Sequence, residues 1–377
     1  MIYFFSALAL AALVYQFLAL ISLARFFRPA PRLSSPQPQP GVTVFKPVRG
    51  LEAVTRECLA SFVDQDYHPV HVLFGVADPN DPILPTLKEL QAASPHRVEI
   101  VICPEQLGLN PKVSTLRQLA PHARHDLWVV ADSDVKVGRD FLATAVASLT
   151  EKSADLVSCP YRAGTAHTLG AHLEALTISA DFIPSVAVAH YVEGIRFALG
   201  AAMIFRREAL DKIGGFAALA DFLADDYQLG WRMHQAGAKV ALIPYVVETA
   251  NPDMRLEDYL LHQLRWTRTY RVCRPKGYLA YGITHALVWS LLTWMASGFA
   301  AAGLGLVAAA LSVRLAVAWF SVTFCLRGRL PTAILLLLPL KDVFAFALWL
   351  MSFIGDEVTW QGARFRITRD GKLMPVE

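Results

Sequence analysis

Residues 2–23 form an apolar run that contains no charged side chain. Backbone polar groups must be satisfied internally in lipid, so a run of this length crosses a bilayer only as a helix. The basic residues Arg25, Arg28 and Arg32 follow the run and none precedes it. A cleavable signal peptide has a basic start and a shorter apolar core, so we interpret the run as a retained transmembrane helix. The positive-inside rule then predicts an external amino terminus and a cytoplasmic chain after it.

The apolar excess, 54% hydrophobic residues overall, is concentrated at the two ends of the chain. In the last third, residues 283–311, 315–326 and 330–354 are apolar and interrupted by charges. We expect two crossings and a broken interfacial segment at 339–342, because that arrangement keeps the basic tail inside. Three crossings, which would place the tail outside, are the alternative.

Charge and cysteine content exclude several classes of function. The formal net charge of +3 is too small to indicate a nucleic-acid partner. The five cysteines show no CxxC pair and no metal-ligand spacing, which indicates a reducing compartment and no structural zinc.

Between the apolar ends, short strand-like runs alternate with helical periods. Strands are predicted at 42–45, 70–76, 98–103 and 127–131, and helices at 51–62, 82–92 and 112–119. This order predicts an α/β domain with a parallel sheet and a ligand crevice at the carboxyl ends of its strands. Neither GxGxxG nor GxxxxGK[ST] occurs, so a dinucleotide-binding fold and a P-loop are not supported.

Two carboxylates, Asp132 and Asp134, follow the fourth predicted strand, one residue apart. Carboxylates that close repel each other unless a cation bridges them. Mg²⁺ and Mn²⁺ take oxygen ligands, and a diphosphate commonly completes the shell of such an ion. A solvated Asp-Ser-Asp turn is the alternative on these residues alone.

Polar residues follow the other predicted strands and could serve the same crevice. Lys46 follows strand one, Asp78 follows strand two, and Lys112 comes after strand three. They offer cations for a diphosphate and a carboxylate for a nucleoside. An acidic pair, Asp225 and Asp226, and a segment ending in Arg265-Trp266 lie further along the chain.

Together these segments resemble the inverting GT-A (Rossmann-like) glycosyltransferases of family 2, and most closely the ceramide glucosyltransferase-like branch, family 21. Within that branch the chain is most similar to the bacterial glycosyltransferases of hopanoid biosynthesis. The branch carries an Asp after strand two, a DxD, an acidic-Asp pair and a (Q/R)xxRW motif. The matching residues here are Asp78, Asp132, Asp134, Asp225, Asp226, Arg265 and Trp266.

The chain departs from the family pattern at two positions. His262 stands at the first position of (Q/R)xxRW, with Gln263 one place later. Asp225 stands where the family has Glu, which keeps both carboxylates and shortens the reach of the first.

The resemblance implies transfer of a hexose, glucose or N-acetylglucosamine, from a UDP-sugar to a hydroxyl of a membrane lipid. The acceptor would be ceramide or a hopanoid polyol, and the protein a multi-pass protein of the cell inner membrane with a cytoplasmic catalytic domain. Asp226 would be the general base, and Asp132 and Asp134 would hold a divalent metal, Mg²⁺ or Mn²⁺. The implied substrate contacts are Lys46, Asp78, Lys112, Asp132, Asp225, Arg265 and Trp266. For Trp266, an anchoring role at the membrane interface is the alternative.

Two other functions share some of these features. A processive polysaccharide synthase of family 2 has the same motifs but needs a transmembrane channel, for which the apolar segments look too few. A non-catalytic membrane scaffold is disfavoured by the intact carboxylates. The predicted organisation is a transmembrane helix at 1–26, a linker at 27–40, a cytosolic glycosyltransferase domain at 41–280, membrane segments at 281–356 and a basic tail at 357–377.

Overall fold

The computed structural model describes residues 1–28, 39–52, 54–328 and 330–376. The predicted linker and Arg32 therefore lie largely outside the described residues. The helices are α1 (Ile2–Phe26), α2 (Thr55–Val63), α3 (Leu84–Ala93), α4 (Pro111–Leu119), α5 (Phe141–Glu151), α6 (Leu169–Thr177), α7 (Ile183–Glu193), α8 (Arg207–Asp211), α9 (Asp225–Gln235), α10 (Leu256–Cys273), α11 (Pro275–Tyr281), α12 (Ala286–Ala296), α13 (Ala301–Phe320) and α14 (Leu338–Met351). The strands are β1 (Val42–Val48), β2 (Val70–Val76), β3 (Val98–Ile102), β4 (Leu127–Ala131), β5 (Val135–Lys136), β6 (Leu156–Ser158), β7 (Tyr161–Ala163), β8 (Ala202–Arg206), β9 (Val240–Leu242), β10 (Val247–Thr249), β11 (Glu357–Trp360), β12 (Ala363–Ile367) and β13 (Leu373–Pro375).

The chain folds into two compact units. We call Pro29–Tyr161 with Ile195–Ala250 the sheet unit, and Met1–Arg28, Arg162–Gly194 and Asn251–Glu377 together the helical unit. The domain boundaries that we predict from the sequence stay a prediction, because compactness does not test them.

A seven-stranded sheet of order β3-β2-β1-β4-β8-β6-β9 forms the centre of the sheet unit. The first four of these strands run parallel, as predicted. They are apolar because helices cover both faces of such a sheet, and β2 is buried along its whole length. Beyond them, β8 lies antiparallel to both β4 and β6. This antiparallel arrangement was not predicted from the sequence. The parallel strands bring their carboxyl ends to one edge.

Strand β1 is longer than predicted, and this changes the place of Lys46. Its parallel register with β2 continues through the pairs Lys46–Phe74, Pro47–Gly75 and Val48–Val76. Lys46 therefore lies within the strand and is 0% exposed, rather than in the loop that follows it.

The helical unit has the character of a membrane protein. Among the residues that the structure describes, four of its helical segments are long and apolar enough to cross a bilayer: Ile2–Phe26, Leu169–Glu193, Ala301–Cys325 and Thr332–Met351. A fifth is counted if the pair Pro275–Thr284 and Ala286–Ala296, bent by 55°, is one span. The segment Leu169–Glu193 was not predicted as a membrane segment, because its acidic residues interrupt the apolar pattern.

The predicted break at 339–342 is wrong, since α14 continues through Lys341 and Asp342. The guanidinium of Arg314 on α13 lies 2.7 Å from Asp342 and 2.8 Å from Asp181. Lys341 pairs with the same two carboxylates. A buried charge is tolerated in an apolar helix when it is paired in this way, so the helix needs no break.

The predicted basic tail is folded. Strands β11, β12 and β13 form an antiparallel three-stranded sheet. The β11–β12 turn has Gln361 and Gly362, both at positive φ, which is the backbone of a two-residue hairpin loop. On α10, Arg268 donates to the carbonyls of Glu357 and Ile354, the latter at 2.8 Å. This contact fastens the start of the small sheet to α10.

Candidate active site

The two carboxylates of the DxD follow β4, whose five residues are all buried. The chain turns there, with the Val135 amide donating to the Asp132 carbonyl at 3.2 Å. The Asp134 carbonyl accepts from the Ala250 amide at 2.8 Å and from the Cys58 thiol at 3.3 Å. These main-chain contacts fix the turn at the carboxyl edge of the sheet.

Lys46 lies beneath this turn. Its ammonium donates to the Asp132 carbonyl, and its nitrogen is 4.1 Å from the centroid of the Phe62 ring. Burial lowers the pKa of Lys46 to about 8, although the nearby Asp134 and Asp132 carboxylates oppose the change. The described contacts of Lys46 are with protein groups, and its predicted contact with substrate stays a prediction.

Lys112 links the DxD to the second acidic pair. Its nitrogen lies 2.6 Å from Oδ1 of Asp132 and 3.2 Å from Oδ2 of Asp225. Burial disfavours the ammonium, but the two carboxylates outweigh that effect and hold the pKa of Lys112 above its ordinary value. The structure thus brings together three of the predicted site residues through one cation.

Asn110 places Lys112, and it was not among the predicted site residues. It caps α4, because its Oδ1 accepts from the Val113 amide at 3.1 Å, while Pro111 opens the helix. Its Nδ2 donates to the Phe222 carbonyl at 2.8 Å. The Asn-Pro pair before a helical period was the sequence signal for this cap.

The second acidic pair begins α9, where the helix dipole favours negative charge. Oδ1 of Asp226 accepts from the Tyr227 amide at 2.7 Å. A Cβ atom on Gly200 would lie 2.7 Å from Oδ2 of Asp226, so any other residue at position 200 would displace this carboxylate. Burial, and then the charge of Asp225, raises the pKa of Asp226 to about 6, against the opposing charge of Lys112.

The DxD offers the donor set that a hard divalent cation requires. Burial, and then the charge of Asp132, raises the pKa of Asp134 to about 6, against the opposing charges of Lys46 and Lys112. Within residues 1–28, 39–52, 54–328 and 330–376, no group of three or more His, Cys, Asp or Glu side chains is arranged to hold a metal. Two carboxylates fit Mg²⁺ or Mn²⁺ shared with substrate phosphates, and do not fit an all-protein cage.

Asp78 is exposed in the loop after β2, as expected for a residue that could meet a nucleoside. Its Oδ1 accepts from the Asn80 amide at 2.8 Å. Nearby Asp81 is only 7% exposed and accepts from the Gly50 amide at 2.9 Å, which joins the loops after β1 and β2. Asp81 was not predicted to have this role.

Arg265 and Trp266 lie on α10 of the helical unit, whereas the other predicted site residues belong to the sheet unit. The Trp266 ring lies 5.0 Å from the His262 ring and 5.8 Å from Phe182. Burial lowers the pKa of Arg265, and the charge of Glu174 opposes this. Within the part of the chain that the structure describes, the Arg265 guanidinium has no hydrogen-bond partner.

The fold has a counterpart among solved glycosyltransferase structures. A mannosyltransferase from Pyrobaculum calidifontis, solved in complex with GDP-Man and Mn²⁺, has a similar fold, with a TM-score of 0.53 and 20% sequence identity. The similarity covers 93% of this chain and 99% of that one. The fold is therefore that of the GT-A glycosyltransferases, as predicted.

The family follows from the sequence as a whole. The model of glycosyl transferase family 21 matches residues 4–373, and the chain belongs to that family. Ceramide glucosyltransferase 1 of Caenorhabditis elegans is 27% identical over 249 residues, which are 63% of this chain and 52% of that protein. Ceramide glucosyltransferase 3 of the same organism is 21% identical over 350 residues, or 89% of this chain and 74% of that protein. The predicted family and the predicted class, glycosyltransferase, are confirmed, while the likeness to hopanoid-biosynthesis members stays a prediction.

Proposed function

We propose that the protein is a membrane-bound inverting glycosyltransferase that moves a hexose from a UDP-sugar to a lipid hydroxyl. The observation that carries this proposal is the connection from Asp132 through Lys112 to the Asp225-Asp226 pair. It brings a candidate donor site and a candidate base into one polar cluster. The names of the ceramide glucosyltransferase relatives support a lipid acceptor and glucose as the sugar.

Asp226 is the proposed general base. A lipid hydroxyl is a poor nucleophile until a positioned group removes its proton. With its pKa raised to about 6, Asp226 is ionised at neutral pH and is a stronger base than an ordinary aspartate. Lys112 pairs with neighbouring Asp225, so the two adjacent carboxylates do not carry their full mutual repulsion.

Asp132 and Asp134 would hold the Mg²⁺ or Mn²⁺ ion, with Asp132 also within reach of a ribose. When bound, such an ion stabilises the negative charge that develops on a departing diphosphate. The Mn²⁺ and GDP-Man of the structural neighbour support an ion and a nucleotide-sugar here. Asp78 contacts the nucleoside, and Lys46 holds the Asp132 turn from below.

Arg265 is the proposed partner of the diphosphate, and Trp266 the proposed contact of the acceptor. A single displacement at the anomeric carbon gives a β-glycoside from an α-linked donor. The acceptor is ceramide or a hopanoid polyol, and the sugar is glucose or N-acetylglucosamine. Arg25 and Arg28 after α1 support a cytoplasmic catalytic domain at the cell inner membrane.

The test is transfer by the purified full-length protein in lipid nanodiscs. UDP-glucose and UDP-N-acetylglucosamine are supplied separately with Mn²⁺, and either ceramide or a hopanoid polyol as acceptor. We expect UDP release that depends on the lipid, and one monoglycosylated lipid by mass spectrometry. A polymeric product would instead identify a processive synthase. If UDP release does not depend on the lipid, the proposed transfer is refuted and a non-catalytic role remains.

A further inference from the structure

Glu174 is a buried carboxylate on an apolar helix. It lies in α6 and is 5% exposed, between Leu173 and Ala175, which are fully buried. An unpaired ionised carboxylate in such a place is strongly destabilising, so the residue is tolerated only where partners compensate for its burial.

Among the described residues, the partners of Glu174 come from one turn of α10. Its Oε2 accepts from Nε2 of Gln263 at 2.7 Å. Its Oε1 lies 3.3 Å from Nδ1 of His262, although that contact lacks hydrogen-bond geometry. The charge of Glu174 also favours the ionised form of Arg265. The Glu174 carboxylate therefore interacts with residues 262–265.

A second polar contact joins the same pair of helices. The hydroxyl groups of Tyr259 and Thr177 lie 3.0 Å apart. Tyr259 precedes Gln263 by one helical turn on α10, and Thr177 follows Glu174 by one turn on α6. This neutral hydroxyl contact joins the two helices without involving a buried charge, so it is a matched comparison for the Glu174–Gln263 contact.

We propose that Glu174 and Gln263 are a positioning pair, which sets the rotation of α10 and so the direction in which Arg265 and Trp266 project. Gln263 is 5% exposed and its amide donates to Glu174, so its side chain is engaged within the protein. His262, one position earlier, stands at the first position of the motif beside the Trp266 ring. This inference rests on the proposed function, in which Arg265 and Trp266 contact substrates.

The first experiment compares transfer by variants of the full-length protein in nanodiscs. Glu174→Gln removes the charge, and Glu174→Gln combined with Gln263→Glu restores the same contact with the carboxylate on the other helix. We expect Glu174→Gln to lower kcat on the order of 10-fold, because misplaced groups lose rate, with the donor KM changed less than about 3-fold. The exchanged pair should recover most of the lost kcat. The matched control, Thr177→Val, removes the neutral hydroxyl contact with Tyr259 between these helices and should keep kcat near that of the parent.

A second readout needs no activity. In protein labelled with 5-fluorotryptophan, the ¹⁹F resonance of Trp266 is assigned by its absence in Trp266→Phe. We expect Glu174→Gln to shift or broaden that resonance, the exchanged pair to restore it, and Thr177→Val to leave it in place.

Several outcomes overturn the inference. They are a parental kcat and an unmoved Trp266 resonance in Glu174→Gln, no recovery in the exchanged pair, or equal losses in Thr177→Val. A parent that transfers no sugar refutes the proposed function instead, and the ¹⁹F spectra then decide the positioning role by themselves.

Discussion

Asp225 and Asp226 are adjacent carboxylates in different surroundings, and this difference can be tested. Asp226→Asn keeps the shape and the hydrogen bond to Tyr227 but cannot accept a proton. We expect transfer to lipid to fall by roughly 10²–10⁴-fold, the usual contribution of a general base, with little change in UDP-sugar affinity. Both quantities are measured by steady-state transfer and by equilibrium donor binding.

Asp225→Asn is the control for that variant. It weakens the contact with Lys112, which keeps its pairing with Asp132, and leaves Asp226 in place, so we expect a loss of about 10-fold or less. If Asp225→Asn is inactive while Asp226→Asn retains the parental rate, Asp225 is the base. If both variants remain active, the base lies elsewhere in the protein.

The raised pKa of Asp226 predicts the direction of the pH dependence. The base acts only when ionised, and its pKa is about 6, above the ordinary value for aspartate. The rate should therefore be constant above that pH and fall about 10-fold per unit below it. Transfer rates from pH 5 to 8 with saturating metal and substrates measure this. A rate that stays constant down to pH 5 would show that Asp226 titrates normally or is not the base.

Asp134 carries the prediction for metal dependence. Its carboxylate is one of two that fit the divalent ion, and the alanine variant leaves the diphosphate charge without its bridging cation. We expect Asp134→Ala to lower the rate by about 10²-fold or more, and chelation to abolish transfer by the parent. Ser133→Ala is the matched control and should respond to Mn²⁺ as the parent does. Parental rates in Asp134→Ala under chelation would refute the metal assignment.

At the scale of elements, the sequence predicts those whose signal is local. The four parallel strands are recognisable because burial on both faces makes them continuously apolar. The DxD is recognisable because it ends one of them. The position of Lys46 was not predictable, since a lysine within a strand ordinarily indicates its end, and here Asp132 and Phe62 accommodate the ammonium.

Elements that depend on partners far away in the chain were not predicted from the sequence. The segment Leu169–Glu193 contains Glu174 and Asp181, whose carboxylates accept hydrogen bonds from residues more than 80 positions away in the chain. The unbroken α14 has the same cause, because Asp342 is paired with Arg314. Among the site residues, Asn110 and Asp81 act on loops that only the fold brings near. Hydropathy alone records these charges as interruptions.

The attachment of the small C-terminal sheet to α10 gives a prediction about stability. Arg268 donates to the carbonyls of Ile354 and Glu357, and hydrogen bonds from charged groups contribute about 1.5–3 kcal/mol each. Arg268→Met keeps most of the apolar stem, so we expect a lower Tm and faster proteolysis between α14 and β11. The control is Arg364→Met, which removes an exposed ion pair with Glu357 and should change Tm little. Equal Tm values for the parent and Arg268→Met would contradict this attachment.

For the whole molecule, the testable property is its orientation in the membrane. In a Cys273→Ser background the other cysteines are buried. A thiol introduced by Lys152→Cys, at the exposed end of α5, should be protected from an impermeant maleimide in spheroplasts and labelled after lysis. The control, Tyr3→Cys at the predicted external end of α1, should be labelled in intact spheroplasts. Labelling of Lys152→Cys from outside would reverse the predicted topology.

The paired charges of the helical unit also have a consequence for biosynthesis. As the ribosome synthesises the chain, Asp181 is made first, Arg314 next, and Lys341 with Asp342 last. An isolated charge is costly in a segment apolar enough to enter a bilayer, so Asp181 is destabilising until Arg314 pairs with it. Lys341 and Asp342 carry opposite charges, so their synthesis leaves the net charge of this buried group unchanged. The interval between translation of Asp181 and of Arg314 is therefore when a stalled or truncated chain is most exposed to quality control.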